Sequence, residues 1–243
     1  MATPKGRGAA SSYKGDGSVK IKPLRPLLFP LTLTGLIVAI AMLLPSLKFI
    51  DDAILKPVNA TPDEWLEAMQ LIAMLGDPLP LIFIAVAVAA WQLYHGQRIR
   101  ALVMTASLTA LPAFYAVKQV VQRARPVTDY IAEHGIHGYS FPSGHATGTF
   151  AVYGMIAYLL YSHTKGHLRA AVVSLCVAVI VLVSFTRVYL GVHFPTDVFA
   201  GWLLALIIIS LLRSLSLYLA KRSNIPNRKA AKDTTEAPET FKQ

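Results

Sequence analysis

Cysteine is nearly missing. Cys176 is the single one in 243 residues, so no disulfide can form within the chain and no Cys-based zinc spacing exists. Its place inside an apolar run marks it as a small buried hydrophobe. Charge is scarce too. Asp, Glu, Lys and Arg make up 15% of the residues, against about a quarter in a soluble domain. Acids are the scarcer sign, 13 against 23 Lys and Arg, and the formal net charge is +10. The bases lie at the two ends and in short loops. That pattern fits anchoring to anionic lipid, and no nucleic-acid partner is expected. The first 22 residues, MATPKGRGAASSYKGDGSVKIK, lack the apolar stretch of a secretory signal. They are expected to form a disordered basic tail, as is the stretch 223–243. No internal repeat is evident.

What the chain does have is apolar length: 54% of it is hydrophobic. A helix needs about 20 mostly apolar residues to cross a bilayer. Six segments qualify as expectations: 27–44, ending at Pro45, then 78–94, 101–121, 144–161, 168–185 and 196–220. The expected fold is therefore all-α, a six-helix membrane bundle over residues 23–222. Between the first two spans, Thr61-Pro62-Asp63-Glu64 reads as a helix start and Gly76 as its stop. Trp65, Met69 and Ile72 share one face of that short helix. It either lies on the membrane surface or packs on the bundle.

Orientation follows from the bases. The N-terminal tail, the loops with Arg98 and Arg100 and with Lys165 and Arg169, and the C-terminal tail are basic. Six spans put all four on the cytoplasmic side. The loop after the first span is acidic and faces outward. The expected location is a bacterial inner membrane, with both termini cytoplasmic and the site facing the periplasm or exterior.

A few polar residues resist this pattern, and three separate stretches bring them to the outer face. They are Lys118 and Arg125, then Ser143, Gly144 and His145, then Arg187, His193 and Asp197. Ionisable groups at membrane depth are costly and mark a protein interior or a watery cavity. Lys118 and Arg125 are seven residues apart and share a face if one helix runs to Pro126. Three cations without matching carboxylates call for an anion, and the guanidinium fork suits phosphate oxygens. Ser143 and Gly144 open a helix, whose free N–H groups also favour an anion. His193 precedes Phe194-Pro195, with Asp197 in the first turn of the next helix. A carboxylate there can accept the Nδ1–H of His193 and leave Nε2 free to attack. His145 can donate a proton to a leaving oxygen. Arg123 falls one residue off the Lys118 face and is expected to meet headgroups or solvent. His134 and His137 have HxxH spacing but no third ligand nearby. Gly144, Gly148 and Ala151 form a small-residue stripe suited to close packing.

These residues resemble the motifs of one family. Lys118-QVVQRA-Arg125-Pro126, Pro142-Ser143-Gly144-His145 and Thr186-Arg187-VYLGV-His193-FPT-Asp197 are similar to the three motifs of the type 2 phosphatidic acid phosphatases. Those are membrane relatives of bacterial acid phosphatases and vanadium haloperoxidases. Thr186 stands where that family usually has Ser. The resemblance implies hydrolysis of a lipid phosphate with no cofactor and no metal. His193 would form a phosphohistidine and His145 would protonate the leaving group. Asp197 would orient His193. Lys118, Arg125, Arg187, Ser143 and Gly144 would hold the phosphoryl oxygens. Undecaprenyl pyrophosphate is the favoured substrate, with phosphatidylglycerol phosphate, phosphatidic acid and lipid A as others. Lipid phosphate and membrane lipids are thus the expected partners, and the oligomeric state stays open. Transfer to an acceptor lipid is the alternative. A transporter or channel for anions would need polar groups through the full depth of the bundle, and the inner halves of the spans carry almost none.

Overall fold

The computed structural model describes residues 25–59, 63–161 and 164–235. Among them there are helices and no strands. The N-terminal tail, Thr61-Pro62 and residues 236–243 lie outside the described residues.

The first helix, α1 (Arg25–Asn59), runs straight through Pro30, Pro45 and Pro57. The expected end at Pro45 is therefore corrected. A proline removes one backbone hydrogen bond, and beyond it the helix is held by other contacts. Lys48 pairs with Asp52 one turn on at 2.7 Å. Asp51 is fully buried against distant residues. Next come a 3-10 turn at Asp63–Trp65 and α2 (Leu66–Met74). Met69 and Leu66 pack on Leu190 and Val192, so α2 docks on the bundle. It is followed by α3 (Pro78–Tyr94), bent by 43° from α2.

The expected third span is present as one helical stretch, 98–121, whose α-helical pattern breaks at one 3-10 turn. It consists of α4 (Arg98–Ala106), a 3-10 turn at Ser107–Thr109 and α5 (Ala110–Val121). Hydroxyls that fold back on the chain accompany the break: Ser107 donates to the Met104 carbonyl and Thr109 to that of Ala106. After α5 come a short α6 (Asp129–Glu133), then α7 (Gly144–Tyr161), α8 (Gly166–Tyr189) and α9 (Pro195–Thr235). The segment 223–235, expected as a disordered tail, continues α9.

Among the described residues, four helical stretches are long and apolar enough to cross a membrane: 27–58, 98–121, 166–189 and 195–221. The bent pair α2 and α3 makes a fifth. The expected count of six is thus not met by length and composition, and α7 is the segment that falls short. The reason is its position. It packs against α3, α5, α8 and α9 and buries Thr147, Thr149, Met155 and Leu159. A helix surrounded by protein has no need of a uniformly greasy surface. Its small residues let neighbours approach. A Cβ on Gly144 would meet Phe114 at 2.9 Å, and one on Gly148 would meet Leu81 at 2.8 Å. The outer helices instead expose large apolar side chains such as Met42, Phe83, Leu175 and Phe185, as lipid-facing surfaces do.

Candidate active site

The polar residues singled out in the sequence meet at one end of the bundle. Lys118 does not share a helix with Arg125, contrary to expectation. Gln122 takes the left-handed conformation (φ 51°) and donates its N–H to the Lys118 carbonyl, ending α5 at Val121. The helix therefore stops well before Pro126. Lys118 is held at the rim, where its ammonium donates to the carbonyls of Tyr139 (2.6 Å) and Ser140 (3.0 Å). An ammonium has three donors, so one is left over. Arg125 comes in from the following loop. Its Nε donates to the Gly138 carbonyl at 3.1 Å and its Nη1 to the Val192 carbonyl at 2.8 Å. The same Nη1 stands 3.4 Å from His193 Nε2.

Arg187 closes α8. Its buried Nε has no hydrogen-bond partner. A buried guanidinium donor without an acceptor is costly and suits a site that receives an anion. The neighbouring Thr186 is fully buried and donates to the Val183 carbonyl one turn back. Gly191, at φ 63°, then turns the chain. This turn lets the backbone N–H groups of Val192 and His193 both donate to the Arg187 carbonyl, fixing His193 beside the guanidinium.

His193 is buried, as is its partner. Nδ1 lies 3.5 Å from Asp197 Oδ2 and 3.3 Å from the Ser140 hydroxyl. Ser140 also donates to Asp197 Oδ2. Asp197 Oδ2 accepts the Phe194 N–H at 2.9 Å, half of a capping box at the start of α9. The Asp197 carbonyl accepts the Ser143 N–H at 2.9 Å, joining the start of α7 to the start of α9. Burial pushes the His193 imidazole down to about 3, with Asp197 opposing and the Lys118 and Arg125 charges reinforcing the shift. The ring is therefore neutral at ordinary pH. With Nδ1 turned to Asp197, the lone pair of Nε2 faces Arg125 Nη1.

Ser143 and Gly144 sit at the N-terminus of α7, as expected, and Ser143 is buried. His145 belongs to the same first turn. Its Nε2 is 2.9 Å from Asp77 Oδ1, which lies between α2 and α3. Sequence reading missed this pairing, because 68 residues separate the two. The close approach of Gly76 is the one local sign. A Cβ there would meet His145 at 3.0 Å and Val183 at 2.6 Å.

Arg123 overturns its expectation. It is neither solvated nor at the headgroups, for it donates to Asp197, Asp51 and Thr196 at 2.6–2.7 Å. Ser140 and Asp51 were likewise not singled out, and nothing local in the sequence marks them. Of the HxxH pair, His134 stacks on Tyr130 with ring centres 4.0 Å apart. Among the described residues no three His, Cys, Asp or Glu side chains stand together as a metal site would need.

Beside Arg125 opens a cavity of about 820 Å³. Its lining includes Lys48, Asp52, Leu55 and Lys56 of α1 together with Arg123 and Phe194.

A buried histidine, three cations and a second histidine brought to one end of a helical bundle have the chemistry to receive a phosphate. Comparison with known proteins gives the family. Residues 97–221 match the PAP2 superfamily, and the chain belongs to it. The chain is 32% identical to phosphatidylglycerophosphatase B of Bacillus subtilis over 182 residues, which is 73% of this chain and 89% of that protein. It is 40% identical to an undecaprenyl-diphosphatase of Sulfolobus acidocaldarius over 93 residues, 36% of this chain and 40% of that one. The crystal structure of a transmembrane PAP2-type phosphatidylglycerolphosphate phosphatase from Bacillus subtilis superposes with a TM-score of 0.65 at 29% identity. It covers 78% of this chain and 96% of its own. The protein is thus a multi-pass membrane phosphatase that hydrolyses phosphate esters.

Proposed function

We propose that this phosphatase hydrolyses a lipid phosphate or pyrophosphate at the outer membrane face through a phosphohistidine, with undecaprenyl pyrophosphate the favoured substrate. The observation that carries the reading is the buried His193, backed by Asp197 at Nδ1 and with Nε2 3.4 Å from Arg125 Nη1. In the first half-reaction Nε2 attacks phosphorus while the phosphorus–oxygen bond to the leaving group breaks. His145 gives its proton to the departing oxygen. In the second, His145 takes a proton from water, and the resulting hydroxide displaces the phosphoryl group from His193 as inorganic phosphate. Lys118, Arg125, the unpaired Nε of Arg187 and the Ser143-Gly144 helix start hold the equatorial oxygens as charge spreads over them. These groups supply the charge stabilisation, so no cofactor is assigned.

The names of the relatives support a lipid phosphate as the substrate class. The cavity beside Arg125 gives a diphosphate room. Lys56 along its wall suits the second phosphate, and the apolar residues suit the start of a lipid tail. The distribution of Lys and Arg supports cytoplasmic termini and an outward site.

The test is phosphate release by the purified protein in detergent. The panel is undecaprenyl pyrophosphate, phosphatidylglycerol phosphate, phosphatidic acid and lipid A, beside a His193→Ala control. Release with a silent control is expected, fastest from undecaprenyl pyrophosphate. Equal release by the control would remove His193 from the mechanism, and a faster monoester would overturn the substrate choice. Orthovanadate should inhibit, and a strong chelator should not. Loss of activity that added metal restores would contradict the assignment of no metal.

A further inference from the structure

We propose that Arg123 is a positioning residue: it fixes the Asp197 carboxylate against His193, and Asp51 of α1 holds it there. The proposal rests on the reading of Asp197 as the partner of His193.

Arg123 lies within the first motif, between Lys118 and Arg125, yet it points elsewhere. Its Nη1 donates to Asp197 Oδ1 (2.6 Å) and Thr196 Oγ1 (2.7 Å), and its Nη2 to Asp51 Oδ2 (2.7 Å). Nη1 has two hydrogens, and both are taken. The guanidinium lies over the Phe194 ring, 4.0 Å from its centre. Asp51 accepts in addition from the Thr196 N–H (3.0 Å) and hydroxyl (2.7 Å). Asp51 and Asp197 are both 0% exposed, and the Arg123 side chain is 11% exposed.

The division of labour on Asp197 is the key point. Oδ2 is shared by His193, Ser140 and the Phe194 N–H. Oδ1 faces Arg123. A carboxylate held at one oxygen only can swing about its own bond. Held at both, it presents Oδ2 to the imidazole in one orientation. An ion pair this buried is strongly destabilising when one partner is removed, because the other charge is left uncompensated. Two carboxylates face the single Arg123, so its loss would leave two. A planar fork can serve both acids at once, which an ammonium does less well.

A plain structural clamp between α1 and α9 makes the same bonds, so the test must separate the two roles. The variants are Arg123→Gln, Arg123→Lys, Asp51→Asn and the double variant D51N/R123Q. The double variant removes the extra buried charge that would unfold the single one. Each is assayed for kcat and KM on dioctanoyl phosphatidic acid and for its thermal midpoint in detergent, with His193→Ala as control. A positioning role predicts that D51N/R123Q recovers most of the thermal midpoint while kcat stays about 10- to 100-fold down, with KM within about threefold, because orientation and not binding is lost. Arg123→Lys should regain about tenfold in kcat over Arg123→Gln, and Asp51→Asn should lose less kcat than Arg123→Gln. A double variant with the kcat of the wild type would overturn the proposal, as would a kcat that falls only in step with the midpoint across the set. A His193→Ala control that keeps turning over would instead sink the phosphohistidine reading itself, so the two failures are distinguishable.

Discussion

Two histidine–aspartate pairs stand at the same end of this bundle and are built differently. His193 and Asp197 sit one helical turn apart at the start of α9, with side chains 4% and 0% exposed. His145 belongs to the first turn of α7 and Asp77 to the turn between α2 and α3, with side chains 21% and 46% exposed. The first pair is sealed, and Ser140, the Phe194 N–H and Arg123 crowd onto its carboxylate. In the second, Asp77 keeps contact with water. The difference matches the tasks in the proposed chemistry. A nucleophile must stay neutral and fixed. A group that gives a proton and later takes one from water needs a path to solvent.

The largest effect expected is from His193→Ala, which should lower kcat by at least about 10⁴-fold while the protein still inserts and folds. It is read by phosphate release and by failure to trap a phosphoenzyme. Asp197→Asn should follow at about 10²- to 10⁴-fold, since the wrong tautomer spoils the nucleophile. His145→Ala should cost about 10²- to 10⁴-fold on a lipid substrate and much less on one with an activated leaving group such as 4-nitrophenyl phosphate. An equal loss on both would place His145 outside proton transfer. Asp77→Asn should cost only ~10-fold, a fraction of what acid–base transfer supplies. A loss equal to that of Asp197→Asn would erase the contrast between the pairs.

The smallest effect is on stability. The His193 pKa lies at about 3 in the folded protein, below the ordinary value of about 6.5. The unfolded chain therefore binds the proton more readily in between. Burial of the neutral ring costs no stability from protonation above about pH 6.5, and the folded state loses ground as pH falls toward about 3. The thermal midpoint of the wild type should accordingly fall relative to His193→Gln between about pH 7 and about pH 4. Parallel midpoints over that range would mean that the ring is not held neutral by burial.

Much of this site was legible in the sequence because its parts are local. Pro195 at the first helical position and Asp197 in the first turn follow from how any helix starts. The three cations stood out because charge is rare in apolar segments. That Lys118 and Arg125 come to the same end of the bundle was legible, but their geometry was not, since the left-handed Gln122 ended α5 early. Nothing in its composition forces a Gln into that conformation. The run of α1 past Pro45 was hidden for a related reason. Its outer half is stabilised by Asp51, whose partners lie far along the chain.

By itself the sequence determined which residue types stand at the mouth of the bundle, and that they came from three apolar segments. Spacing and hydrophobic period act over a few residues, so they can be read one segment at a time. Tertiary structure alone decided who pairs with whom. Asp77 met His145, Asp51 met Arg123 and Ser140 met His193 only because α1 packs on α9, α2 on α8, and α7 on α3, α8 and α9. Such contacts depend on how helices cross and how near they approach, and the small residues at Gly76, Gly144 and Gly201 permit that approach without specifying its partner.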